Sequence, residues 1–465
     1  MMVRSLTVWI VLAAGLWGAL PSSLEQMIER NKIKHDQVSI LIRSTATGKT
    51  VASHNATRSR VPASVMKVFT TYSALLDLGT DFRWPTKLYY TGRFSGGTIR
   101  GDLVIEAFGD PTLSTRDLSR MARRLRTLGV RKITGNMILD RTFFANSGKV
   151  TSGFDRNRFS EYNAMPDAMM LNDHMSAFYV QPKNGQIVAS KSIPGDEYTI
   201  VNHLHSTAEA CKGKNAWPYV SISTKGGYAS VILTGTISTH CPRRRISKLI
   251  THPHVSFYHA FSDALRRAGI AFDGKMILSR VPSNARALMV HRARPLLQIV
   301  AKTLKKSNNL YARHIFLLLG AQNFGAPATE EKGARAVEGI LSARGVWDRS
   351  TRIINGSGLS RKSRTSATAL VRVLDDAYKR YKTRWLNALS IAGKDGTIRK
   401  RFRHSVAKGR AWMKTGTLNR AKNIAGYVKG RSGRLYTVAI LYNGAERWKG
   451  SALQNQIIEW IVRNK

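Results

Sequence analysis

The chain has 465 residues, 43% of them hydrophobic, which excludes a disordered protein and predicts more than one domain with ample core. Lysine and arginine number 74 against 28 aspartates and glutamates, a formal net charge of +46 that predicts adhesion to polyanions. These cations are spread along the chain without a dominant arm or tail, so the pattern is a solvated basic surface, with no specific nucleic acid as partner.

At the N-terminus, Arg4 precedes an apolar run over 6–20 and then Pro21-Ser22-Ser23. This is a secretory signal pattern, a little short for a membrane span. A signal peptide is therefore expected over 1–22, with a periplasmic or other extracytoplasmic destination; an uncleaved anchor is the alternative. Export would place Cys211 and Cys241, the only two cysteines, in a compartment that favours a disulfide. Closing that loop would contribute about 3–4 kcal/mol. His203, His205, His240, His252 and His254 lie nearby, but their spacing matches no zinc pattern, and no metal is expected.

In chain order, the spacing predicts a helix over 24–30, then strands over 38–44 and 51–55 joined at Thr47-Gly48-Lys49. Pro62 suits the first turn of a helix, and Val65, Val68, Tyr72, Leu75 and Leu76 recur at helical spacing before Gly79. That puts Ser64 at a helix N-terminus with Lys67 one turn on, on the same face. From 87 to about 288 the texture is short β-like runs, such as 88–90, 103–105, 201–202 and 231–233, interrupted by helices over 115–128 and 257–269. Helical periodicity returns over 296–319, 330–343 and 367–381. The end reads strand, strand, strand, helix over 411–417, 423–429, 434–442 and 452–462. The expected fold is α+β: helices on an antiparallel sheet, from 23–86 and 289–465, interrupted by a large, mostly β insertion over 87–288.

Serine is a poor nucleophile unless a neighbouring base takes its proton, and a lysine kept neutral by burial or by other cations can be that base. Ser64-x-x-Lys67 alone is weak, because Ser405 to Lys408 repeats it and a solvated lysine near a helix start is the plain alternative. Two further motifs strengthen it. Ser307-Asn308-Asn309 sits inside a helical stretch over 304–319, where polar residues in a row need a reason, and Lys414-Thr415-Gly416 lies on the strand from 411, followed by Thr417. This combination occurs in penicillin-binding proteins and serine β-lactamases. Ser53-His54-Asn55 precedes Ser64, and Ser405 follows the second motif, so one choice alone keeps the three in order on the required elements.

On these residues the chain resembles the D-alanyl-D-alanine carboxypeptidases/endopeptidases called class C penicillin-binding proteins. Lys67 and Ser307 are 240 positions apart, and that family carries extra domains at this place. Stretches over 109–113, 133–136, 162–166, 356–361, 393–397 and 423–427 are similar too, so the resemblance covers nearly the whole mature chain. Asn355 is a departure, standing where the family usually has aspartate.

The resemblance implies that Ser64 attacks the carbonyl between two D-alanines while Lys67 takes its proton. Ser307 would relay a proton to the departing D-alanine, and Asn309 would hold the substrate amide. Lys414 would keep Lys67 neutral and, with Thr415, Gly416 and Thr417, receive the terminal carboxylate. Backbone N–H groups of Ser64 and Thr417 would form the oxyanion hole. No cofactor is implied. The implied partners are peptidoglycan stem peptides and β-lactam antibiotics as covalent inhibitors, with an anionic cell-wall or membrane surface added by charge. The 155–165 stretch, with Asp155 and Glu161, is expected to contribute to a pocket for the stem-peptide side chain.

Two alternatives stand beside this reading. A serine β-lactamase would need a base, usually glutamate, and between Asn309 and Lys414 no glutamate is followed by the expected asparagine. A catalytically inert, basic cell-wall-binding protein is favoured by the charge but opposed by the intact Ser64, Lys67, Ser307, Asn309 and Lys414.

Overall fold

The structure, a computed structural model, describes residues 20–145, 148–224 and 229–465. The expected signal peptide lies outside them except for residues 20–22, of which Ser22 opens the helix Ser22–Arg30.

The fold is α+β. One antiparallel sheet of six strands runs in the order Ser390–Ile391, Ala411–Leu418, Ala421–Lys429, Leu435–Tyr442, Val38–Ser44, Thr50–His54. The N-terminal hairpin thus pairs with the last strand of the chain, Val38 opposite Tyr442 and Ser44 opposite Tyr436. Both faces of this sheet are buried, and alternation along the strands divides them. Ile40, Ile42, Val438 and Ile440 pack with the terminal helices Ser22–Arg30 and Arg447–Asn464. Leu41, Ala439 and Leu441 face a larger core with Lys67–Leu78, Leu296–Lys306, Asn309–Phe324 and Ala367–Ala388.

Between the helices Lys67–Leu78 and Leu296–Lys306 the chain builds two further cores. Pro85–Tyr90 and Arg286–Arg292, the strands by which it leaves and returns, pair with each other. Around them lies a core that includes the helices Thr115–Thr127 and Pro253–Arg267. The first of these connects the parallel strands Leu103–Ala107 and Met137–Asp140. The other core lies between two three-stranded sheets and carries the Cys211–Cys241 disulfide, with Cα atoms 5.2 Å apart.

One expectation needs correction. The helical stretch over 296–319 is not continuous: Leu296–Lys306 ends at Ser307, whose φ is 57°, and Asn309–Phe324 starts afresh. Asn308 is the reason the second helix can start there. Its side-chain oxygen accepts from Tyr311 N at 3.0 Å, satisfying one of the donors a helix leaves unpaired at its N-terminus. The polar run is a helix break that turns Ser307 out of the helix.

Candidate active site

The segment before Ser64 is anchored to the sheet. Asn423 Nδ2 donates to Val61 O and Pro62 O, both at 2.8 Å, and Val61 N donates to Asn443 Oδ1 at 2.7 Å. Ala63 then takes a φ of 50°, a left-handed conformation that costs a residue with a Cβ some strain. A short 3-10 turn, Ala63–Met66, passes directly into Lys67–Leu78. Two glycines allow the close packing around it. A Cβ on Gly358 would lie 1.9 Å from Ala63 O, and one on Gly416 would lie 2.7 Å from Pro62 O and 3.0 Å from Ser64 N. The strand carrying Lys414 and Thr415 therefore passes against the backbone of Ser64.

Lys67 is completely buried, and its Nζ has three neighbours. They are Ser64 Oγ at 2.9 Å, Asn309 Oδ1 at 2.7 Å and Ser357 O at 2.6 Å. Burial pushes the Lys67 pKa well below that of an ordinary lysine, and the cations Lys414 and Arg313 push it the same way. A neutral amine has two N–H groups and one lone pair. A carbonyl oxygen can only accept, so Asn309 and Ser357 take both N–H groups. In the uncharged form, which the lowered pKa favours, the lone pair would face the Ser64 hydroxyl. The Asn309 amide is oriented for this by its other end, where Nδ2 donates to Tyr162 O at 3.1 Å.

Lys414, also fully buried, donates to Ser307 Oγ at 2.8 Å and to Thr415 O at 2.7 Å. Burial lowers its pKa to about 7. Lys414 thus carries only part of its charge at neutral pH, and the Arg313 guanidinium is the steadier of the two cations acting on Lys67. Thr415 Oγ1 donates to Thr397 Oγ1 at 2.8 Å, while Thr417 is exposed and accepts from Lys422 Nζ at 3.3 Å.

The expected residues therefore form two contacting groups. Ser64, Lys67 and Asn309 touch directly, and Ser307 rests on Lys414, with Gly416 against Ser64. The competing motifs are occupied elsewhere: Ser405 Oγ donates to Glu459 at 2.6 Å, and Asn55 Nδ2 donates to His35 O at 2.8 Å. Asp155 accepts from Tyr162 Oη at 2.9 Å and from Asn163 Nδ2 at 3.1 Å, supporting the loop that orients Asn309. Glu161 faces Asn308 Nδ2 at 3.4 Å. Among the described residues, no group of three or more His, Cys, Asp or Glu side chains is placed to hold a metal.

Two features escaped the sequence. The first is the Ser357 carbonyl, which Asn355 positions: its Oδ1 accepts from Ser357 N at 3.2 Å and Ser357 Oγ at 2.9 Å, and its Nδ2 donates to Leu359 O at 3.1 Å. A main-chain oxygen has no side-chain signature, and the 356–361 stretch stood out only by resemblance. The second is Arg313, one turn beyond Asn309 and buried with its Nη1 on Ala164 O at 3.3 Å.

The chain is similar to a D-alanyl-D-alanine carboxypeptidase from Actinomadura sp. (strain R39), 27% identical over 458 residues, 94% of this chain and 83% of that protein. Its fold is similar to the crystal structure of penicillin binding protein 4 (dacB) from Haemophilus influenzae. The TM-score is 0.78 at 22% identity, covering 93% of this chain and 98% of that one. A structure of the same protein complexed with a novel β-lactam gives a TM-score of 0.75 at 21% identity, covering 95% and 99%. The family model described as D-Ala-D-Ala carboxypeptidase 3 (S13) matches residues 20–464, and this chain belongs to that family.

Proposed function

We propose that this chain is a serine-type D-Ala-D-Ala carboxypeptidase and endopeptidase of peptidoglycan, working through an acyl-enzyme on Ser64. The observation that carries the reading is Lys67 Nζ, held by two carbonyl acceptors with its third contact on Ser64 Oγ. Ser64 Oγ attacks the carbonyl between two D-alanines and its proton passes to Lys67. The C–N bond breaks as the departing amine receives a proton through Ser307. Lys414, Thr415 and Thr417 hold the terminal carboxylate. Backbone N–H groups of Ser64 and Thr417 stabilise the oxyanion, each donor worth about 3–4 kcal/mol. Water then attacks the ester, releasing the shortened peptide and restoring the hydroxyl. The cycle balances without a metal or organic cofactor.

β-Lactams acylate the same serine, a reading supported by family membership and by the β-lactam complex of the Haemophilus protein. The substrates are stem peptides, with the loop of Asp155 and Glu161 beside the site. The chain works outside the cytoplasm, exported by a signal over 1–22. Residues 23–86 and 289–465 form the peptidase domain, and 87–288 form accessory domains.

Fluorescent penicillin tests this directly. Stable labelling of the wild type, absent from Ser64→Ala with an unchanged circular dichroism spectrum, is the expected result. Rapid turnover of the label would make the protein a β-lactamase. No labelling of the wild type would leave an inert wall-binding protein.

A further inference from the structure

A cleft of about 1410 Å³ opens between the helix Leu296–Lys306 and the inserted elements, and Ser64 does not line it. Four carboxylates face this cleft, and each is engaged within the chain. Asp110 accepts from Thr112 N at 2.8 Å and Thr112 Oγ1 at 2.7 Å. Asp117 accepts from Ser114 N at 3.0 Å and pairs with Arg120. Tyr311 Oη donates to Asp173 at 2.6 Å, and Glu161 faces Asn308.

The cations are not balanced in the same way. Arg116, Arg245, Lys248, Arg292 and Arg294 line the cleft, and among the described residues none of their side chains makes a hydrogen bond or ion pair, although Arg294 acts on Asp110 at longer range. They come from the start of Thr115–Thr127, from the strand Arg244–Lys248, and from the end of Arg286–Arg292 and the segment just after it. Three separate elements thus bring like charges to one concavity, where each raises the cost of the others. Arginine forks match carboxylates and phosphates bidentately. The volume exceeds the roughly 300–1,000 Å³ of a small-molecule pocket, which suits an extended chain better than a single ion. The same cleft is lined by Glu161 and Tyr162, and the Tyr162 carbonyl orients Asn309.

We propose that this cleft binds an extended cell-wall polymer carrying oxyanions, the part of the wall strand that lies beyond the peptide reacting at Ser64. The proposal rests on the peptidoglycan reading above, but the binding itself needs no Ser64 chemistry. It localises to one cleft an affinity that the net charge alone would spread over the whole surface.

The test compares two triple variants of the full chain that lose equal charge. One is Arg245→Gln/Arg292→Gln/Arg294→Gln in the cleft. The other is Arg349→Gln/Arg403→Gln/Arg431→Gln, three exposed arginines outside it. The probes are labelled poly-L-glutamate and inorganic polyphosphate, followed by fluorescence anisotropy at about 0.1 M salt. The cleft variant is expected to weaken poly-L-glutamate binding at least about tenfold and the control less than about threefold. Penicillin acylation should be unchanged in both variants. If polyphosphate binds more tightly with the same dependence on the cleft arginines, the oxyanion is a phosphate of the wall polymer. Equal losses in the two variants, or no loss with either probe, overturn the proposal. Failure of the wild type to take penicillin would overturn the catalytic reading and leave the anisotropy result standing.

Discussion

Ser357 presents its main-chain oxygen to Lys67 Nζ at 2.6 Å across 290 positions of sequence. That carbonyl takes one N–H of Lys67 and, in the proposed mechanism, helps aim the lone pair of the uncharged amine at Ser64. Its position depends on Asn355, which accepts with one end of its amide and donates with the other. Asn355→Ala should slow penicillin acylation about tenfold, the loss of roughly one positioning hydrogen bond. Asn355→Asp removes the donor to Leu359 O and adds a negative charge near Lys67, which favours the protonated amine. The rising limb of the acylation–pH profile should then move up by about one unit. An unchanged profile in both variants would make the loop merely structural.

Lys414 has its pKa lowered to about 7, so it loses its charge as pH rises through neutrality. Because the profile of kcat/KM reports groups of the free enzyme, hydrolysis of a peptide ending in D-Ala-D-Ala should fall above about pH 7. The cause is weaker capture of the terminal carboxylate. Lys414→Arg keeps its charge throughout and should flatten this limb, whatever its effect on the maximum. The measurement is kcat/KM from pH 6 to 9 for both proteins, and a limb surviving in the variant would assign it to another group.

Two buried lysines without a carboxylate partner burden the fold. For each, the folded pKa is depressed, so the unfolded chain binds more protons and stability is lost as pH falls. Lys67→Met and Lys414→Met should therefore raise stability by about 1–4 kcal/mol at neutral pH while abolishing acylation. For Lys414→Met the gain should shrink as pH rises from about 7 toward the ordinary lysine value of 10.5. Urea unfolding at two pH values checks both the size and the sign.

His174 and His314 are buried near Asp167, and burial lowers each to a pKa of about 4. Asp167 opposes that shift in both, while His252 and His254 reinforce it at His174 and Arg313 at His314. His314 Nδ1 lies 2.8 Å from Gly109 O, joining the Asn309–Phe324 helix to the inserted elements. The histidines' contribution to stability should be complete above pH 6.5, the unfolded value, and decline as pH falls toward 4, by roughly 3 kcal/mol per histidine at most. His314→Gln keeps an N–H for Gly109 O and should flatten part of the decline in melting temperature. A decline of unchanged slope would assign the acid sensitivity to other groups.

The sequence by itself determined the elements whose side chains repeat with a period. The strands over 38–44 and 434–442 and the helix after Ser64 were legible because burial on one or both faces writes itself into apolar spacing. The three motifs were legible because their spacing within each element is local. Tertiary structure alone decided what joins them. Asn309 reaches Lys67 across 242 positions and Ser357 across 290, and a carbonyl is chemically the same at every residue. Periodicity also misread the break at Ser307, because the buried Leu304 and Tyr311, seven residues apart, flank it in helical phase while the backbone between them reverses its sense of turn. The lowered pKa of Lys67 belongs to the fold for the same reason: burial and the nearness of Lys414 and Arg313 push it down, and chain order records neither.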